Sequence, residues 1–126
     1  MKQRILFVDD EKSLLFASTK LLSGYQIEVD TAETKENALA MIAENEYDVV
    51  ITDIRLTGVF GKEGLDILRY IKKHKPQTHV ILITGYGSPE LGKKAIALGA
   101  DFYFEKPVSN FVLKDAMKKL GINYLS

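Results

Sequence analysis

Short apolar runs recur along the chain, and each is followed by a segment with helical spacing. Ile5-Leu6-Phe7-Val8, Val80-Ile81-Leu82-Ile83 and the Val49-Val50-Ile51 centre of Tyr47–Asp53 are the clearest of them. Runs this apolar and β-branched suit strands covered on both faces, which means a parallel sheet between helical layers. Gln26 to Asp30, with Ile27 and Val29 on one face, and Phe102-Tyr103-Phe104 bring the expected strands to five. Between them, Leu14, Ala17, Ser18 and Leu21 form a helical stripe after Asp9-Asp10-Glu11, with Gly24 as the stop. Thr34 opens a second helix with Ala38, Leu39 and Ile42 on its inner side. Leu65, Leu68 and Ile71 mark a third, closed before Pro76. Ser88 caps a fourth, with Pro89 in its first turn and Leu91, Ala95 and Leu98 along it. Ser109 caps a fifth that carries Leu113, Ala116, Met117 and Leu120.

Each parallel crossover needs a helix, so strict alternation predicts an α/β fold with one doubly wound sheet. The sheet stays open, because about eight units are needed to close a barrel. A flavodoxin-like strand order 2-1-3-4-5 is expected, which gathers ligands beside strands one and three. With 126 residues the chain has room for one proper core, and residues 1–126 are read as one domain. Seventeen basic residues balance seventeen acidic ones, which gives no reason to expect nucleic acid or an anionic membrane as partner. There is no cysteine, hence no disulfide or thiol chemistry, and a cytoplasmic location is expected. No apolar run approaches the roughly 20 residues of a membrane helix.

In such a sheet, functional groups collect at the carboxyl ends of the strands. Those ends are Asp9-Asp10 after strand one, Asp53 after strand three, Thr84 after strand four and Lys106 after strand five. Three carboxylates packed together repel unless a cation neutralises them. Oxygen ligands without His or Cys favour a hard ion, and a shallow hydrated site favours magnesium. A lysine and a hydroxyl on the opposite rim suit an anion with several oxygens, the electrostatic pattern of phosphoryl transfer. Asp53, on the middle strand, is then the natural nucleophile. Taken singly, Asp9-Asp10 could instead cap a helix, Thr84-Gly85 start a turn and Lys106-Pro107 be a solvated turn. Their joint placement at four strand ends favours chemistry.

Val8-Asp9-Asp10-Glu11, Asp53-Ile54-Arg55-Leu56, Ile83-Thr84-Gly85-Tyr86, and Gly99-Ala100-Asp101-Phe102 leading into Glu105-Lys106-Pro107 together resemble the response-regulator receiver domain of two-component signalling. The resemblance runs along essentially the whole chain. It implies that Asp53 takes a phosphoryl group from a phosphohistidine on a sensor histidine kinase or histidine phosphotransfer protein. It implies magnesium, with manganese as the alternative, held by Asp10 directly, by Asp9 through water, and by Asp53 and the Arg55 carbonyl. Lys106 would pair with Asp53 and then with a phosphoryl oxygen. Thr84 would move toward another, Tyr103 would turn inward as the aromatic switch, and Lys106-Pro107 would be cis.

The same resemblance implies a switch that catalyses only its own phosphorylation and dephosphorylation, with no turnover substrate. Output would pass through helix four, strand five and helix five to a downstream protein or fused effector, from a monomer or a phosphorylation-dependent dimer. Gly92, Ala95, Ala97 and Gly99 leave helix four weakly anchored, and Lys93, Lys94 and Ile96 are candidate contacts. Arg55 and Tyr86 sit where the family tunes phosphoryl lifetime. Phe16, beside the first helical stripe, is read as core packing, the alternative being an exposed apolar patch on helix one, where the resemblance implies that the phosphohistidine donor docks. Two departures from the family pattern stand out: Thr57 where a proline is usual, and about three extra residues in the loop from Val59 to Gly64, which places Phe60-Gly61-Lys62-Glu63 on the rim. A phosphohydrolase with an aspartyl nucleophile is the alternative, but it calls for an Asp-x-Asp pair on the first strand. A flavin carrier of this fold calls for a Ser/Thr/Gly loop where this chain is acidic.

Overall fold

The computed structural model describes residues 2–57 and 61–124. Five strands alternate with five helices: β1 (Gln3–Val8), α1 (Lys12–Leu22), β2 (Ile27–Ala32), α2 (Lys35–Glu44), β3 (Val49–Asp53), α3 (Glu63–His74), β4 (His79–Thr84), α4 (Pro89–Ala97), β5 (Phe102–Glu105) and α5 (Asn110–Lys119). All strand pairs are parallel, in the order β2-β1-β3-β4-β5. The expected fold class and strand order are therefore present.

The central strands are apolar on both sides because each side has its own helical layer. Ile5, Phe7, Val49, Ile51, Ile81 and Ile83 pack with Leu15, Leu22, Leu113 and Met117 of α1 and α5. Leu6, Val8, Val50, Val80 and Leu82 pack with Ala38 and Ile42 of α2, with Leu65, Leu68 and Ile71 of α3, and with Ala95 of α4. The edge strand β5 follows the same alternation: Phe102 and Phe104 join the first layer and Tyr103 the second.

Four local expectations are corrected. The buried stripe of α1 is Leu15, Ser18 and Leu22; of the predicted Leu14, Ala17, Ser18 and Leu21, Ser18 is buried, Leu14 and Leu21 flank the stripe half-buried, and Ala17 is exposed. Phe16 faces outward; it is 66% exposed, with the Lys20 ammonium 4.7 Å from its ring, and is not core. Gly99 lies outside α4, which ends at Ala97; at φ 110° it donates its N–H to the Ile96 carbonyl. A left-handed residue just past the last turn is a common helix stop. The Lys106-Pro107 bond is cis.

Gly64, expected within a loop, is instead the second residue of α3 and is buried. A Cβ there would stand 2.3 Å from the Asp53 carbonyl oxygen and 2.6 Å from the Ile54 Cα. Only glycine lets α3 start directly against the end of β3, and its N–H donates to the Ile54 carbonyl at 2.9 Å. Gly64→Ala is expected to lower stability by about 1–3 kcal/mol, the usual penalty of overpacking against groups that cannot yield. Urea denaturation measures it, and an unchanged midpoint would contradict so tight a junction.

Candidate functional site

The carboxyl ends of β1, β3, β4 and β5 bring the predicted groups together. Asp9, Asp10 and Asp53 each offer an oxygen, and these oxygens lie within 4.8 Å of one another. The Lys106 ammonium stands between two of the acids, 2.8 Å from Asp53 Oδ2 and 2.9 Å from Asp9 Oδ2. The lysine is thus in direct contact with the acids rather than across a gap from them. Its backbone is placed by the Lys106 N–H, which donates to the Thr84 carbonyl at 2.8 Å. Burial by itself would lower the lysine pKa, but the hydrogen bonds it donates to Asp53 and Asp9 outweigh it and hold the ammonium charged.

The five groups are not equally placed. Asp10, Asp53 and Lys106 line an open cleft of about 290 Å³ with Glu11, Arg55, Gly85 and Tyr86. Asp9 is fully buried behind Lys106, with its Oδ1 accepting the Glu11 N–H at 3.0 Å. Thr84 is also fully buried, its hydroxyl accepting the Tyr86 N–H at 3.2 Å. Neither acid caps α1, whose N-cap is Glu11 with no side-chain hydrogen bond. Asp10 is exposed, and its pKa is raised, first by burial and then by the Asp9 charge.

Arg55 and Tyr86 meet over one side of the cleft. The guanidinium carbon lies 4.8 Å from the tyrosine ring centre, and Arg55 donates to the Tyr86 carbonyl at 3.2 Å. The Arg55 N–H, in turn, donates to Asp53 Oδ1 at 3.0 Å. Tyr103 lies away from the acids, on the α4 side of the sheet, with a buried hydroxyl.

The two departures have a structural answer in part. Glu63 Oε1 accepts the Leu56 N–H at 3.1 Å, and the Thr57 hydroxyl donates to the other oxygen of the same carboxylate. Burial raises the Glu63 pKa, but these hydrogen bonds more than offset it and keep the group ionised. A proline at position 57 would have no hydroxyl to give. Glu63 therefore clips the loop closed at its base, while Lys62 is exposed. Phe60, with Gly58 and Val59, lies outside the described residues. Sequence reading missed Gly64, Glu11 and this clip; an acid six residues after a threonine is too common a spacing to have signalled it.

A metal ion would find an all-oxygen donor set here, with two acids already drawn together and a third free at the cleft mouth. That set fits a small hard cation such as magnesium.

The family model for the response regulator receiver domain matches residues 5–118. The chain belongs to the response-regulator receiver family. The receiver is 33% identical over 107 residues to the response regulator protein PilR of Pseudomonas aeruginosa, a match covering 85% of this chain and 23% of PilR. It is 35% identical over 107 residues to the nitrogen assimilation regulatory protein NtrX of Azorhizobium caulinodans, covering 85% of this chain and 23% of that one. The receiver spans about a quarter of the length of these curated relatives. Among solved structures, a CheY-like receiver domain protein from Methanospirillum hungatei superposes with a TM-score of 0.83 at 32% identity, covering 95% of this chain and 94% of that one. A receiver domain protein from Clostridium thermocellum gives a TM-score of 0.83 at 37% identity, covering 94% and 93%. The beryllofluoride-activated NtrC4 receiver domain dimer gives 0.82 at 33%, covering 93% and 94%. No helix among the described residues is long and apolar enough to cross a membrane.

Asp10→Asn tests the electrostatics of the receiver's acid cluster. A raised pKa means that the folded state holds the Asp10 proton more tightly than the unfolded chain does, so stability falls as pH rises through that window. In magnesium-free buffer the variant is expected to melt higher at pH 7 and to match the parent near about pH 3, where the carboxyl is protonated in both states. A gain that persists at low pH would show that charge is not the cause.

Proposed function

We propose that Asp53 is the phosphoacceptor of this receiver and that its donor is a phosphohistidine on a sensor kinase or phosphotransfer protein. One observation carries the reading: a carboxylate at the end of the middle strand, open to a cleft, is held 2.8 Å from a half-buried ammonium and beside two further acids. An Asp53 carboxylate oxygen attacks phosphorus, the phosphorus–nitrogen bond breaks with its electron pair going to the nitrogen, and the donor ring, already protonated on its other nitrogen, leaves as neutral imidazole. The product is an acyl phosphate. Lys106, already charged and in place, is positioned to exchange its contact with Asp53 for one with a phosphoryl oxygen. Asp10, Asp9, Asp53 and the Arg55 carbonyl would hold magnesium, or manganese in its place, which when bound offsets negative charge on the acids and on the phosphoryl group.

Thr84 is the candidate link to the output face. Its hydroxyl, tied among the described residues only to the Tyr86 N–H, can turn toward a phosphoryl group and draw the β4–α4 loop with it. Tyr103 and the exposed Lys93, Lys94 and Ile96 lie on the α4–β5 side, where a downstream protein, a fused effector or a second receiver would read the change. The 1–126 span is proposed to act as one receiver unit, as a monomer or a phosphorylation-dependent dimer, with the effector of any longer regulator reading its state.

Incubation with acetyl phosphate and magnesium is expected to place one acid-stable, base-labile phosphoryl group on the chain, absent from Asp53→Asn. Continuous phosphate release with no adduct would instead identify a hydrolase. Since Arg55 and Tyr86 close one side of the cleft, Arg55→Ala and Tyr86→Ala are expected to shorten the phosphoryl lifetime several-fold by admitting water. Decay of the labelled protein measures this; unchanged lifetimes would remove both residues from that role.

A further inference from the structure

Tyr103 occupies a seat whose walls are two absent side chains. It projects from β5 toward α4, and its hydroxyl is buried with no hydrogen-bond partner among the described residues. A Cβ at Gly87, in the β4–α4 loop, would stand 2.2 Å from that hydroxyl and 2.2 Å from Glu105 Oε1. A Cβ at Gly92, on α4, would stand 3.1 Å and 3.2 Å from ring carbons Cε1 and Cδ1. The first distance is impossible without movement, and the second calls for some. Neither glycine has a positive φ, so neither is needed for backbone reasons. Gly92 also sits inside a helix, where glycine is intrinsically unfavourable.

We propose that Gly87 and Gly92 are positioning residues of the switch, the ones that permit Tyr103 to sit inward. The ring packs beside Gly92 of α4, and the hydroxyl lies beneath Gly87. Gly87 lies three residues after Thr84 on the same loop, so a movement of Thr84 reaches the seat through the backbone. The Glu105 carboxylate shares the space beneath Gly87, and an intruding side chain there displaces both groups together. This rests on the phosphoacceptor reading only for its use in signalling; the seat itself is a matter of packing.

The test follows the Tyr103 ring by NMR of protein with labelled tyrosines, its signal among the six identified with Tyr103→Phe. In the parent chain the signal is expected to be shielded from a soluble paramagnetic agent. In Gly87→Ala it should become accessible, and in Gly92→Ala partly so. Both variants should still take a phosphoryl group from acetyl phosphate at about the parent rate, since neither residue lines the cleft. A ring that stays shielded in both variants, with the backbone spectrum intact, overturns the proposal. Should Gly87→Ala not fold, Gly92→Ala decides alone, because alanine favours the helix it joins. Failure of the parent chain to take up phosphoryl overturns the phosphoacceptor reading, and the ring signal still decides the seat.

Discussion

One ammonium group between two carboxylates anchors the functional end of this protein. Asp9 is fully buried and Asp53 nearly so, which leaves water a poor screen between these two charges. Lys106 reaches both within hydrogen-bonding distance, and its charge is what lets the acids share so small a volume. Removing one member of such a set strands the rest, at a cost of about 3–5 kcal/mol for a well-buried pair. The fold supplies the geometry: β1 and β3 are neighbours, β4 lies next, and β5 brings the lysine in from the far side through its pairing with β4. Phosphoryl transfer needs an acid kept reactive beside a cation, and on the proposed reading Asp53 beside Lys106 would meet that need.

Around that floor the rim is built from loops of different character. The β3–α3 loop is clipped at its base by Glu63, which takes the Leu56 N–H and the Thr57 hydroxyl, and Gly64 presses the start of α3 onto Asp53. These contacts fix the backbone that carries Arg55. The β4–α4 loop is looser. Thr84 and Tyr86 share one hydrogen bond, Gly85 has open space around it, and Gly87 overlies the Tyr103 hydroxyl. A firmly clipped acid side thus faces a more loosely tied hydroxyl side, which on the proposed reading would hold the nucleophile in register on one half and let the other move.

The strands and the site acids were legible because both are written locally. A run such as Val80-Ile81-Leu82-Ile83 can be satisfied only between two layers, and a carboxylate after such a run must emerge at its end. The inner face of α1 was less so. Leu14 and Leu15, and Leu21 and Leu22, offer two stripes one position apart, and only packing on β1 and β2 selects the second. Phe16 was misread for the same reason. The roles of Gly64, Gly87 and Gly92 were not legible, because what each glycine avoids is a group distant in the chain or on another element. That Asp9 and Thr84 stand behind the cleft while Asp10 and Lys106 face it also depends on side-chain packing that spacing does not encode.

The claim under all of this is that the ends of four strands form a single pocket ready for a cation. Manganese is paramagnetic and erases the NMR signals of nearby amides, so a substoichiometric titration reads out the location directly. The amides of Asp10, Asp53, Arg55 and Lys106 are predicted to vanish first and together, with those around Glu28 and Asp66 untouched. Bleaching centred on another acidic surface, or spread evenly over the exposed carboxylates, would contradict the account.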